Sequence, residues 1–452
     1  MNPFRDTGIA GPLQTIFNVR RDEVAAVAAA IVFFFLILTA LMLLRPARDA
    51  LGMERGIESI RWLFIGTAVV TLAVNPVFGW LVARLQRLQF IAVTYAAFAL
   101  SLTGFWALLA FAPEAVGTVS GQVFYVWFSV FNLFVSMVFW ALMADRFDVE
   151  QSKRLFGLIA VGGTLGAIFG PWLTKQLAPA IGTPPLLLVT AGLLVLAIAA
   201  AWALARTQPA DAMQGQDGAS APPPSRDQAR IGGGALAGIR AVLTSRYLLG
   251  IAGYVVILSV MVTFIYFTRL QMVEAAASTL DERTELLATI DMWTQIAVLV
   301  LQLSLTGHLM KRLGVPFALA LLPVTMALGF IGLAVFGSFL VLILLEAVVR
   351  AVQRAITRPA RETLFTVVGR EDKYKAKAFI DTFVYRVGDV TGAQVEGGLG
   401  RLGMGLAALT SVAVPLALAW AALGIWLGRA QRQRSAALRD RAGDDRAAAG
   451  TL

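Results

Sequence analysis

The sequence predicts an all-α polytopic membrane protein of about twelve transmembrane helices, and three observations carry that prediction. Of 452 residues, 58% are hydrophobic and only 15% charged, against about a quarter charged in soluble domains. Mean hydropathy is +0.74. Apolar runs of about twenty residues, enough to cross about 30 Å of hydrocarbon, recur along nearly the whole chain. Composition also removes much chemistry. With no Cys and a single His, His308, there is no disulfide framework, thiolate metal site, haem attachment or cysteine nucleophile. P-loop, G-x-S-x-G and H-E-x-x-H signatures are absent, so neither enzyme activity nor a cofactor is expected. The basic excess, 38 Lys and Arg against 28 Asp and Glu, is read as topology and not as nucleic-acid binding.

The first run covers residues 24–44. It is too long for a cleavable signal, and Arg45-Pro-Ala-Arg48-Asp49 follows where small cleavage-site residues would stand. Further runs lie near 62–83, 90–112, 122–143, 155–178, 185–205, 247–268, 289–310, 315–336, 338–357, 378–400 and 404–428. A Pro, Gly, Ser and Gln-rich stretch at 206–245 cannot bury a core and splits the chain into two sixes. The expected organisation is an N-terminal six-helix bundle at 1–205, a cytoplasmic linker at 206–245, a C-terminal bundle at 246–430 and a polar cytoplasmic tail at 431–452. Placing both termini in the cytoplasm puts most of the 38 cations on that side. The exception is 45–61, read as an external loop carrying Arg45, Arg48, Arg55 and Arg61. Arg-rich, Lys-poor usage points to a bacterial inner membrane.

The halves resemble each other. Gly79-Trp-Leu-Val-Ala-Arg84-Leu and Gly307-His-Leu-Met-Lys-Arg312-Leu share the pattern G-x-L-x-x-R-L, and the segment around Gly163 and Gly166 matches that around Gly388 and Gly392 at nearly the same offset. Two parallel repeats of six helices are the organisation of a major facilitator bundle. The G-x-L-x-x-R-L loops resemble the cytoplasmic signature of that superfamily, with Ala83 and Lys311 where an Asp is usual.

Ionised residues at membrane depth cost about 2.5–3.5 kcal/mol or more when they face lipid, which makes them functional candidates. Glu346, Arg350, Arg354 and Arg358, spaced by four, climb one side of the tenth run and are expected to line a cavity. Asp381, Tyr385, Gly388, Asp389 and Gly392 share a face of the eleventh, with Arg386 beside Asp389; Asp291 and Gln295 form a further polar pair near the end of the eighth. Arg45 and Arg48 stand directly after the first run, where guanidinium forks suit phosphate or carboxylate. The alternative is internal salt bridging, Glu346 with Arg350 and Arg386 with Asp389. In the fourth run Tyr125, Trp127, Phe128, Phe131, Phe139 and Trp140 could stack a ring or simply pack.

Leu44-Arg45-Pro-Ala-Arg48-Asp49-Ala-Leu51, Val126-Trp127-Phe-Ser, Phe139-Trp140-Ala-Leu-Met-Ala-Asp145, Glu150-Gln-Ser-Lys153-Arg154-Leu-Phe156-Gly157, Tyr374-Lys375-Ala-Lys377-Ala-Phe-Ile380-Asp381 and Arg386-Val-Gly388-Asp389 form a further set of motifs. Together they resemble the nucleotide transporter branch of the major facilitator superfamily, the ATP/ADP translocases and their bacterial homologues. The resemblance implies that Arg48 replaces a functional Lys. It departs at Tyr125, where the family has a functional Glu, and at Asp389, where it has a functional Lys, so it implies the fold more strongly than the cargo.

Together these readings predict a secondary transporter, an antiporter or a proton-coupled carrier, that moves a small anionic solute, phosphorylated or nucleotide-like, by alternating access. Arg45, Arg48, Tyr125, Glu346, Arg350, Arg354 and Arg386 are the expected substrate-binding residues, and Asp381, Asp389 and Asp291 the coupling or charge-tuning ones. The expected partners are the solute, the lipid bilayer and protons as a coupling ion, without nucleic acid, metal or an obligate protein partner. The competing function is a transporter or flippase for a lipid or other headgroup-bearing substrate.

Overall fold

The structure, a computed structural model, describes residues 19–20, 23–84, 87–207, 237–305, 314–402 and 406–449. The chain is helical: α1 Val24–Met53, α2 Ile57–Arg84, α3 Arg87–Phe111, α4 Glu114–Arg146, α5 Val149–Ile181, α6 Leu186–Arg206, a short α7 Ala237–Thr244, α8 Arg246–Ala276, α9 Leu280–Leu305, α10 Val315–Phe336, α11 Phe339–Val352, α12 Arg358–Leu364, α13 Arg370–Phe379, α14 Tyr385–Arg401 and α15 Leu406–Ala449. Ten of these among the described residues are long and apolar enough to cross a membrane. The tenth and eleventh spans are composite. A π turn, Gln353–Thr357, joins α11 to α12, and another, Ile380–Val384, joins α13 to α14. Residues 208–236 of the linker and the second G-x-L-x-x-R-L segment fall outside the described residues, as do the side chains of the first; the end of the linker forms α7.

The chain divides into two compact units, Met1–Pro223 with Val273–Gln295, and Pro224–Met272 with Ile296–Leu452. In the first, α1 is the central helix, with Phe33, Ile37, Ala40, Leu43, Leu44 and Ala47 fully buried. Phe34 stacks on Phe139 at 4.2 Å, and the Tyr95 hydroxyl donates to the Val135 carbonyl at 3.2 Å. The fourth-run aromatics pack mostly on one another, Trp127 lying against Phe131 at 5.2 Å and Phe124 at 5.5 Å. In the second unit Trp420 is fully buried against Tyr254, whose hydroxyl donates to the Leu319 carbonyl at 2.8 Å.

Two sequence expectations are corrected here. Residues 45–61 are not a loop: α1 runs on through Pro46 to Met53, leaving only Glu54–Gly56 before α2. Arg45 and Arg48 there are half-buried and Asp49 is fully buried, each with an ionic partner, so the polar residues continue the helix and do not end it. The fifth helix begins at Val149, six residues earlier than its apolar run, because Asp148 and Gln151 form a reciprocal capping box that starts a polar first turn.

Glycines at and beside the matched positions allow close helix approach in both halves. On α5, a Cβ at Gly162 or Gly166 would lie 2.3 or 2.4 Å from carbonyl oxygens of α1. On α14, a Cβ at Gly388 would lie 2.6 Å from the Ser259 Cβ of α8, and one at Gly392 2.9 Å from the Val260 Cα. Helices approach this closely only over residues without side chains. Gly166→Ala is therefore expected to lose about 1–3 kcal/mol of stability by overpacking, whereas Gly157→Ala, with open space around its Cβ, should be neutral or slightly stabilising. Thermal unfolding of both variants in detergent checks this, and equal midpoints would refute the close-approach reading.

Glu23, buried just before α1, accepts from Arg154 at 2.6 Å, Gln151 at 3.1 Å and the Arg20 N–H at 2.9 Å, fastening the start of α5 to that of α1. Burial alone would raise its carboxyl, but these hydrogen bonds outweigh it and hold the group below the ordinary 4.5. A depressed carboxyl stabilises the fold above its unfolded-state value and loses that contribution as pH falls through the folded-state value. Between about pH 6 and about pH 4 the thermal midpoint of the wild type should fall further than that of Glu23→Gln; parallel pH slopes would show that this junction carries no such stability.

Candidate functional site

The second unit holds a cavity of about 510 Å³ lined by Leu258, Gln353, Arg354, Thr357, Arg358, Arg361, Glu362, Lys377, Asp381 and Tyr385. Both π turns border it. Pro359 explains the first: it has no N–H to give, and its ring crowds the carbonyl of Ala355, so the helix widens by a residue just before it. One extra residue rotates the remainder of the span by about 100° relative to an unbroken helix. The expected stripe Glu346, Arg350, Arg354, Arg358 is thereby divided. Arg354 and Arg358 line the cavity, while Glu346 and Arg350 are absent from its lining and pair with each other at 2.6 Å.

The cavity's two acids are each matched by a cation from a neighbouring element. Asp381 of the second π turn meets Arg361 of α12 at 3.1 Å, and Glu362 of α12 meets Lys377 of α13 at 2.5 Å. These crossings tie α12 to the start of the eleventh span. Arg358 has no ion pair among the described residues, and the lining as a whole carries four cations against two carboxylates.

Beside this cavity lie two buried polar clusters of the same unit. Arg269, fully buried on α8, is 3.7 Å from Glu346, so this carboxylate serves two guanidinium groups. Asp389 accepts from Arg386 at 3.1 Å and, at close range, from the Ser259 hydroxyl, which also donates to the Tyr385 carbonyl at 3.0 Å. Lower on α14, Glu396, 2% exposed, accepts from Gln271 at 2.5 Å.

In the first unit, Arg48 donates through Nε to the fully buried Asp49 at 2.9 Å, and its guanidinium lies over Tyr125 at 4.6 Å and Phe128 at 5.2 Å. Tyr125 also fills the space beside Gly52, where a Cβ would meet its ring at 2.8 Å. Arg45 pairs with Asp291 at 3.5 Å. Asp291 is 1% exposed and Gln295 is likewise buried, so this pair is not at a wet helix end as its position near the start of the apolar run suggested.

Of the sequence-named residues, then, Arg354, Arg358, Asp381 and Tyr385 line the cavity together. Arg45 with Asp291, and Arg48 with Tyr125, form paired clusters in the first unit; Glu346 with Arg350, and Arg386 with Asp389, do so in the second. Sequence reasoning did not single out Arg269, Arg361, Glu362, Lys377 or Glu396. The first four lie just beyond the apolar runs, where a charge reads as loop; Glu396 lies inside one and was visible.

Known proteins place this architecture. No protein of curated function matches the chain in sequence. Among solved structures, the nucleoside transporter NupG, in a mutant form, superposes with TM-score 0.58 at 14% identity over 90% of this chain and 99% of its own. A bacterial homologue of the human lysosomal transporter Spinster, in an inward-facing and unoccupied conformation, does so with TM-score 0.58 at 11% identity over 92% and 99%. At these identities the likeness is one of fold. The family model of the Major Facilitator Superfamily matches residues 24–353, nearly three quarters of the sequence, and the chain belongs to that superfamily as a multi-pass membrane protein.

Proposed function

We propose that this member of a superfamily of secondary transporters moves a small anionic solute by alternating access. The observation that carries the reading is the cavity of the second unit, whose lining has more cations than acids and whose acids already hold partners. Arg354 and Arg358 are exposed to the open cavity, where their guanidinium groups can meet the charged oxygens of a solute. No covalent chemistry is needed: Arg354 and Arg358 hold negative charge, and Arg361 and Lys377 set the positions of Asp381 and Glu362. Among the carboxylates, Asp389 and Asp381 are the ones suited to couple transport to protons. Electroneutral exchange is the other coupling this arrangement supports, and the resemblance to nucleotide transporters favours it.

With both termini cytoplasmic, as the distribution of cations indicates, the chain direction puts the α12–α13 connection and hence the cavity on the cytoplasmic side of a bacterial inner membrane. The connection between α5 and α6 then lies on the opposite side. There the Thr183 N–H and hydroxyl both donate to Asp281 at 2.7 Å, and the Thr183 and Thr284 hydroxyl oxygens are 2.9 Å apart. Thr183 and Thr284 both lie in the first compact unit; if transport instead moves halves 1–205 and 246–430 against each other, this contact joins them and is expected to part in the cycle.

In proteoliposomes, Arg358→Gln is expected to cut uptake of the transported anion more than tenfold while leaving the thermal midpoint of the detergent-solubilised protein within about 2 °C of wild type; retained uptake removes the cavity from the transport path. Lipid translocation without uptake of any soluble anion would instead favour the headgroup-carrying function. Counterflow with a protonophore present separates the couplings: exchange survives collapse of the gradient, and proton symport does not.

The chain has no cysteine, so the double variant Thr183→Cys, Thr284→Cys introduces a single possible disulfide. Oxidation is expected to stop transport and a reductant to restore it. A fully cross-linked protein that transports at the wild-type rate would show that the contact need not open.

A further inference from the structure

In the second unit, Arg361 and Lys377 are held by carboxylates, Asp381 at 3.1 Å and Glu362 at 2.5 Å. Where α8 begins and α15 leaves its apolar stretch, the sequence supplies no such partner: residues 237–250 and 418–434 contain Arg240, Arg246, Arg429, Arg432 and Arg434 and no acid. Arg434 lies over the Tyr247 ring at 4.3 Å. Arg246, Arg429 and Arg432 are exposed and have no ion pair among the described residues. We infer that this end of the unit binds an anionic phospholipid, with Arg246 and Arg429 on the headgroup phosphate and Leu249 and Trp426 against the start of its acyl chains.

The two helices meet at this level. Trp426 packs across Gly250, where a Cβ would lie 2.6 Å from its ring, and the Tyr247 hydroxyl beneath Arg434 donates to the Leu364 carbonyl at 2.9 Å. On α15, Leu418, Ala422, Trp426 and Arg429 stand at i, i+4, i+8 and i+11, on one face, and all four are exposed. An exposed apolar stripe on a spanning helix faces lipid tails, so Arg429, on that stripe and beyond its last large apolar side chain, comes out at the headgroup layer. α8 repeats the arrangement in the opposite chain direction, with exposed Arg246 three residues before Leu249, which is 49% exposed. Trp426, 47% exposed, has the amphipathic ring favoured at that depth.

Charge and position together select the ligand. Guanidinium forks suit phosphate oxygens, and a basic border is drawn to an anionic leaflet more than to a zwitterionic one. The apolar half of the site argues against a free anion, which would leave Leu249 and Trp426 uncovered. Exposure of the arginines is what a lipid site requires, and none of these residues lines the cavity at 353–385, so the inference does not depend on what that cavity carries.

The test uses the full-length protein in detergent. Thermal midpoints are measured alone and with added phosphatidylglycerol, phosphatidylcholine or soluble glycerol phosphate, and retained lipid is counted by native mass spectrometry. Phosphatidylglycerol is expected to raise the wild-type midpoint about 3 °C or more above the other two, since a ligand of the native state stabilises it. The double variant Arg246→Gln, Arg429→Gln should lose about half or more of that rise and retain fewer phosphatidylglycerol molecules, with its lipid-free midpoint within about 2 °C of wild type. The double variant Lys153→Gln, Arg206→Gln, which removes two exposed cations elsewhere, should keep both the rise and the bound lipid. Equal losses in the two double variants would reduce the effect to general surface charge and overturn the site, as would an equal rise with phosphatidylcholine or glycerol phosphate. Should the first double variant not fold, the single variant Arg429→Gln on the lipid-facing stripe carries the same test, and wild-type lipid retention by it overturns the inference.

Discussion

The cost of holding ionised groups inside a bilayer orders this structure. Each uncompensated charge facing lipid costs about 2.5–3.5 kcal/mol or more, and leaving one partner of a buried pair alone costs about 3–5 kcal/mol. The consequence is visible residue by residue. Arg48 is held by Asp49 and two aromatic faces, Arg45 by Asp291, Arg350 and the fully buried Arg269 by Glu346, and Arg386 by Asp389. Pairing of this kind lowers the cost of each charge at membrane depth. It removes charge from the reckoning and leaves those groups less able to take up a solute without first giving up a partner. The cavity at 353–385 is built differently, because its acids are consumed by Arg361 and Lys377 while the stretch from Arg354 to Arg358 adds cation.

Backbone irregularity makes that difference possible. An unbroken α-helix would keep Glu346, Arg350, Arg354 and Arg358 on one slowly drifting face, and the acid could then neutralise its neighbours along the whole stripe. The turn at Gln353–Thr357 rotates the second pair away from the first, so one helix serves both a buried ion cluster and an open cavity. A second widened turn at Ile380–Val384 does similar work opposite, separating Asp381, on Arg361, from Asp389, on Ser259 and Arg386. π turns of this sort concentrate at functional sites because the extra residue is destabilising unless it is used.

The fold was legible because hydrophobic length is an additive property of many residues, so that losing or gaining a few at a helix end changes nothing. The apolar runs at 24–44 and 247–268 were found, and their errors lay at the ends, where helices continue with charged residues such as Arg48 and Arg269. Only the capping box at Asp148 carried a local signal for such an extension. The site was half legible. Arg354, Arg358, Asp381 and Tyr385 could be named from periodicity, and the pairs Glu346–Arg350 and Arg386–Asp389 from spacing. Arg361, Glu362 and Lys377 could not, since their role depends on how α12 folds back on α13. Nor could the fate of the Arg stripe, which turns on one inserted residue; Pro359 was the available hint.

The glycines argue that the two halves are built alike at the level of contacts and not merely of pattern. In each, the fifth helix of the half lies directly against the first, with backbone meeting backbone: α5 on α1 at Gly162 and Gly166, and α14 on α8 at Gly388 and Gly392. Yet the polar load along these paired helices is unequal. Between α1 and α5 the close approach is surrounded by Phe34, Phe35 and Thr39, whereas beside Gly388 sits the Ser259–Asp389–Arg386 group. A duplicated scaffold has thus kept its packing seam and diverged in what it places beside it. That asymmetry goes with the cavity, whose walls come from the second unit and carry four cations against two carboxylates.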